Sequence, residues 1–265
     1  MNTAALDLSI LGPAFIAGLL VLATHVPLGI QVLARGIVFI DLAIAQVAGI
    51  GVIAADAAGW EPQGWAVQIA AVAAALAGAL LLTFTEKRWP DVQEALIGVL
   101  FVLASCAGIL LLANNPHGGE HLKDLLVGQI LWVNLRQLGP VAVLTLVLLV
   151  VWFLFAARLG RIGFYAVFAF AVTASVQLVG VYLVFASLII PALATRTIAA
   201  ARRRQWTAFA TGVAAYAVGL AVSAVADLPS GAVVVMTMAL LGIVCAAAVA
   251  RGRATSAPTL ESANQ

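Results

Sequence analysis

Long apolar runs separated by short polar gaps fill the chain, and each is close to the roughly 20 residues a helix needs to cross a bilayer. They predict spans at residues 10–32, 38–58, 65–84, 95–113, 138–156, 206–226 and 232–250. A further run, 162–195, is long for one tilted helix and short for two full ones, with Gly180 in its middle and Pro191 near its end. We read it as one full helix, a break near Gly180, and a short returning helix. Irregular backbone at membrane depth survives only when buried in protein or lining a cavity, so this break is a candidate for the working part of the molecule. The expected fold class is all-α, a polytopic membrane helix bundle of about eight spans plus a short broken helix near Gly180 to Pro191. Residues 1–250 form the transmembrane domain, and 251–265 a polar C-terminal tail expected to be disordered.

Lys and Arg favour the cytoplasmic side of a membrane. They gather at Lys87 and Arg88, at Arg158 and Arg161, at Arg202 to Arg204, and at Arg251 and Arg253, with Arg35 alone. Placing these clusters inside puts the N-terminus outside and the C-terminus in the cytoplasm, in a multi-pass protein of the plasma (inner) membrane. Lys123 and Arg136 then fall outside, as two exceptions. Trp60, Trp65, Trp89, Trp132 and Trp206 sit near span ends, where aromatic anchors belong. No internal repeat is legible, which disfavours an inverted-repeat carrier.

Composition agrees with lipid as the solvent. The 265 residues are 64% hydrophobic and 9% charged, with mean hydropathy +1.14, against about half apolar and a quarter charged in soluble domains. A net charge of +2 gives no reason to expect a nucleic-acid partner. Cys106 and Cys245 lie in apolar runs and read as small membrane-buried hydrophobes. No cleavable signal peptide is expected, because the first run lacks a basic n-region and outlasts a signal core. The chain has no G-x-x-x-x-G-K-[ST], no H-E-x-x-H and no G-x-S-x-G. With so few polar residues inside the spans, it reads as a conduit and not an enzyme, with no cofactor of its own.

Few residues carry chemistry. "RGIVFIDLAIAQVAGIG" (35–51) sets Asp41 and Gln46 in apolar surroundings. An intramembrane carboxylate is costly unless paired or hydrated, and is a functional hypothesis by default. Its structural alternatives are an ion pair with Arg35 or a position near the cytoplasmic interface; Gln46 could simply bridge helices. "HGGEHLKD" (117–124) holds His117, Glu120 and His121, a set able to gather a divalent cation or to form a solvated loop. Glu94 heads a span, where a helix N-terminus favours a carboxylate. His25 reads as a satisfied buried histidine.

Four segments resemble, in order, the membrane-spanning permeases of ABC importers for zinc, manganese and iron. They are "EALIGVLF" (94–101), "LLVGQILWV" (125–133), "LVGVYLVFASLIIPALATR" (178–196) and "DLPSG" (227–231). The resemblance implies a homodimer enclosing a translocation path, two cytoplasmic P-loop ATPase subunits that bind the ATP, and an extracytoplasmic metal-binding protein. It marks Gly180, Pro191, Asp227, Pro229 and Gly231 as structural pivots. Over 35–51 the family pattern R-R-M-x-x-x-G-D-A-L-x-H sets Leu42 at its Asp, Asp41 at the Gly before it, and Gln46 at its His. An amide thus replaces an imidazole, and the carboxylate has moved back by one residue. At about 100° per residue Asp41 and Gln46 lie roughly 140° apart, so one helix face cannot present both to one ion. Gln is also a poor zinc ligand.

In "AARLGRIG" (156–163) the ATPase-coupling connection is shorter than the family's, leaving Ala157 and Gly160 beside Arg158 and Arg161. Arg158, Gly160 and Arg161 are the coupling candidates, and Arg202 to Arg204 could share the role. The implied function is the permease subunit of an ATP-driven importer of divalent metal, zinc first and manganese or iron next. The alternatives are a permease for a metal chelate or other small solute, and an ATP-independent secondary carrier or scaffold.

Overall fold

A chain in hydrocarbon must satisfy its backbone internally, and helix is the way a single segment can do so. The computed structural model describes residues 8–61, 64–112, 128, 130–155 and 158–256. Among these residues there is no strand. The helices are α1 (Leu8–Arg35), α2 (Ile40–Ala57), α3 (Trp65–Arg88), α4 (Gln93–Leu112), α5 (Leu135–Phe155), α6 (Gly160–Val179), α7 (Val181–Ala194), α8 (Ala201–Ala226) and α9 (Ser230–Ser256). Short 3-10 turns at Pro90–Val92 and Ile130–Trp132 lead into α4 and towards α5.

Seven of the described helices are long and apolar enough to span a bilayer. With α2, which bears Asp41 and Asp56, and the shorter α7, the count meets the expectation of eight spans and one short helix. The break falls at Gly180, with α7 beginning one residue after α6 ends. The polar tail starts as a continuation of α9 as far as Ser256, and 257–265 lie outside the described residues.

Burial sorts the helices. α1 and α6 are mostly enclosed, whereas α4, α5 and α9 are mostly unburied within this chain. Helix α2 packs on α3 and α4, and α3 on α6; on the other side α8 packs on α9, and α7 on both α1 and α9. Helix α1 touches α5, α6, α7 and α8 and so joins the two groups. Lipid tails are as apolar as Leu, so close approach of backbones must replace the hydrophobic drive between helices. It does so at α8 and α9, where a Cβ added to Gly219 would lie 2.7 Å from Val234 Cα. Trp65, Trp132 and Trp206 are exposed, as anchors at a bilayer boundary require.

One end of the bundle is polar and interlocked. Arg35, at the end of α1, lies over the Phe164 ring at 4.1 Å. Arg161 Nε sits 3.8 Å from Glu86 Oε1. Buried Gln93 donates to the Leu82 carbonyl at 3.0 Å and to Tyr165 Oη at 3.3 Å, and accepts from Thr85 Oγ1 at 2.9 Å. These bonds tie α3, α4 and α6 together where the basic clusters of the sequence meet.

Candidate functional site

Gly180 has φ 82 and ψ 162, backbone open to glycine but not to side-chain-bearing residues. Its N–H still bonds the Val176 carbonyl at 2.8 Å, and its own carbonyl accepts from Val184 N–H at 3.1 Å. The residue therefore ends α6 and starts α7 without losing either of its backbone bonds. Beside it is a cavity of about 10 Å³, lined by Val176 and Val181 from the two sides of the break, Gly108 of α4, and Gln46 and Gly49 of α2. That is about the space of one water molecule. Gln46 is the polar side chain in its wall.

Asp41 is not in that wall. Helix α2 is regular from Ile40, so the predicted divergence of the two side chains holds: Gln46 faces the break and Asp41 faces elsewhere. Asp41 is 1% exposed, and neither carboxylate oxygen has a hydrogen-bond partner. The ion pair with Arg35 weighed from the sequence is not made among the described residues. Arg35 instead rests on Phe164. One feature favours the carboxylate: it lies in the first turn of α2, where the helix dipole suits an anion. Glu94 Oε1 accepts the Phe39 N–H at 3.3 Å, so this residue of α4 caps α2, a role across 55 positions that its place at the head of a span does not reveal.

Other buried polar atoms stand open. His25 Nδ1 lies 3.0 Å from the Val21 carbonyl oxygen and 3.0 Å from Thr24 Oγ1, donating to the carbonyl in one tautomer and accepting from the hydroxyl in the other. Nε2 is fully buried and unbonded. The expectation of a satisfied histidine holds for one ring nitrogen only. Thr173 Oγ1, one turn before Val176 on α6, is likewise buried and unbonded. Sequence reasoning passed over Thr173, although a hydroxyl inside an apolar run is the signal that would have found it.

The remaining candidates separate by place. Pro191 is buried inside α7, and Thr195 Oγ1 bonds its carbonyl at 2.9 Å. Asp227 ends α8 in the left-handed region at φ 53, with Ser223 Oγ donating to the Leu228 carbonyl at 2.6 Å. Pro229 precedes the first residue of α9, and Gly231 is buried in its first turn. Arg158 and Gly160 are exposed at the start of α6, one turn from the Arg161–Glu86 pair. His117, Glu120, His121 and Ala157 lie outside the described residues. Among the described residues no group of three His, Cys, Asp or Glu is placed to hold a metal ion.

Comparison with known proteins follows this geometry. The family model of the ABC 3 transport family matches residues 7–164 and 156–249. No curated protein matches the chain. Among solved structures, PsaBC from Streptococcus pneumoniae in complex with Fab aligns with TM-score 0.75 at 18% identity, over 92% of this chain and 95% of that one. An inward-facing ABC transporter of metal-chelate type aligns with TM-score 0.59 at 16% identity, over 92% of this chain and 85% of that one. At these identities the structural likeness speaks for the fold, and the family match speaks for kinship. The chain belongs to the ABC 3 transport family and is a multi-pass membrane permease of the ABC transporter type.

Proposed function

We propose that this chain is the permease subunit of an ATP-driven importer of divalent metal, zinc first and manganese or iron next. The observation that carries the reading is a family match along almost the whole chain, in a bundle whose broken helix meets α2 at Gln46. Two copies would enclose the path, and cytoplasmic P-loop ATPase subunits would bind and hydrolyse the nucleotide. An extracytoplasmic metal-binding protein would deliver the cargo. In this reading the end bearing Arg35, Glu86 and Arg161 faces the cytoplasm, as does the C-terminus. Exposed Arg158, Gly160 and Arg161 form an edge against which an ATPase could push. Asp41 and Gln46 serve the path at two depths of α2, the carboxylate nearer the cytoplasmic end.

A second reading, a permease for a metal chelate, is favoured by Gln46. Cargo whose metal is already coordinated needs shape and hydrogen bonds from the wall and no replacement ligands, and an amide supplies those. Deleting the gene and measuring cellular zinc, manganese and iron tests both. Loss of one free ion supports the first reading, loss of uptake only when a chelator accompanies the metal supports the second, and unchanged uptake of all of them refutes both.

A further inference from the structure

Gly128, in the segment that leads to α5, has φ +71, and a Cβ built on it would run into the Val179 carbonyl and the Gly180 nitrogen. Gly36 and Gly59 also have positive φ, at +71 and +78, but nothing lies within 4 Å of a Cβ on either. Those two residues serve turns alone. Gly128 meets two separate demands, a left-handed backbone and a backbone-to-backbone approach, and the partner is the peptide that breaks the α6–α7 run. Two residues on, Ile130 is 1% exposed and sits in the 3-10 turn that packs against α1. The segment is thus held on one side by α1 and on the other by the break. A glycine pivot such as Gly180 has wide conformational freedom and keeps one position only if its surroundings fix it.

We propose that Gly128 is a positioning residue for transport: its bare backbone seats the segment entering α5 against the Val179–Gly180 peptide and fixes where the break lies. This deepens the permease reading and rests on it. The contact joins positions about 50 residues apart.

Hydrogen–deuterium exchange on the full chain with its ATPase partner in nanodiscs provides the test, read beside metal uptake in vesicles. Gly128→Ala and Gly128→Asn are both expected to raise exchange at the amides of 180–184 by roughly tenfold and to lower maximal uptake with KM for the metal unchanged. Asn tolerates a positive φ, so its failure to rescue assigns the effect to the contact and not to backbone strain. Gly59→Asn, with the same kind of φ and no contact, is expected to leave exchange at 180–184 and uptake at wild-type values. Unchanged exchange in Gly128→Ala, or full uptake in Gly128→Asn, overturns the proposal. Should neither Gly128 variant reach the membrane, Ile130→Ala loosens the seat from the α1 side. It is expected to raise exchange at 180–184, and no rise there overturns the proposal equally. A wild-type chain that moves no metal refutes the permease reading, while the exchange comparison still decides the contact.

Discussion

Gly219→Ala offers a quantitative test of how the helices are held. The added methyl would lie 2.7 Å from Val234 Cα and 2.9 Å from Val234 Cγ2, where ordinary contact begins at 3.4 Å. A backbone atom cannot swing aside, so α8 and α9 must part by about 0.7 Å at this level. A gap of 0.5–1 Å already forfeits roughly a quarter to a half of each dispersion contact it opens, and overpacking of this kind costs about 1–3 kcal/mol. Replacing a helical Gly by Ala returns about 0.5–1 kcal/mol in chain entropy, leaving a net loss of roughly 1–2 kcal/mol. Gly98→Ala in α4 is the matched control, because nothing beyond its own neighbours lies within 4 Å of its added methyl, and it is expected to gain about 0.5–1 kcal/mol. At about 2 °C per kcal/mol for a chain of this size, the two variants should differ by roughly 3–6 °C in apparent Tm. Tryptophan fluorescence during heating in one detergent, at one scan rate, measures it. Equal Tm values, or a Gly219→Ala protein more stable than wild type, would show that backbone proximity at this crossing does not limit packing.

Asp41→Asn is expected to abolish uptake while leaving Tm unchanged or a few degrees higher, since an unpartnered buried carboxylate costs several kcal/mol that the amide avoids; normal uptake would make the carboxylate structural. Gln93→Leu removes three buried hydrogen bonds across α3, α4 and α6 and should cost about 2–3 kcal/mol, against about 1 kcal/mol for Tyr165→Phe, measured by the same heating assay. Arg161→Ala breaks an ion pair of 3.8 Å whose arginine is 54% exposed, so stability should change by under about 1 kcal/mol. Its expected effect is on coupling, seen as ATP hydrolysis by the partner continuing with uptake reduced; uptake at the wild-type rate per ATP would remove Arg161 from that role.

The helix break was legible because a run of 162–195 fits neither one span nor two, and glycine is the residue that lets a chain turn inside it. The divergence of Asp41 and Gln46 was legible too, since it follows from helical geometry alone. What the sequence could not give was the partner of each side. Glu94 heads α4 yet caps α2, and Gly128 presses on a peptide about 50 positions away. Neither contact has a local signature, because both depend on how helices of nearly uniform apolar surface choose their neighbours. For the same reason the sequence could not tell that Arg35 would choose the face of Phe164 over the carboxylate of Asp41.

The interruption at Gly180 also has an electrical side. Carbonyls ending α6 and amides beginning α7 lose their intrahelical partners just where the cavity beside Gln46 opens. One lip of the break therefore carries partial negative charge and the other partial positive charge, each near half an elementary charge. A naked cation would be drawn to the α6 lip and turned away from the α7 lip, whereas an anionic complex would feel the reverse. Main-chain dipoles would thus set which lip a charged solute approaches before any side chain touches it.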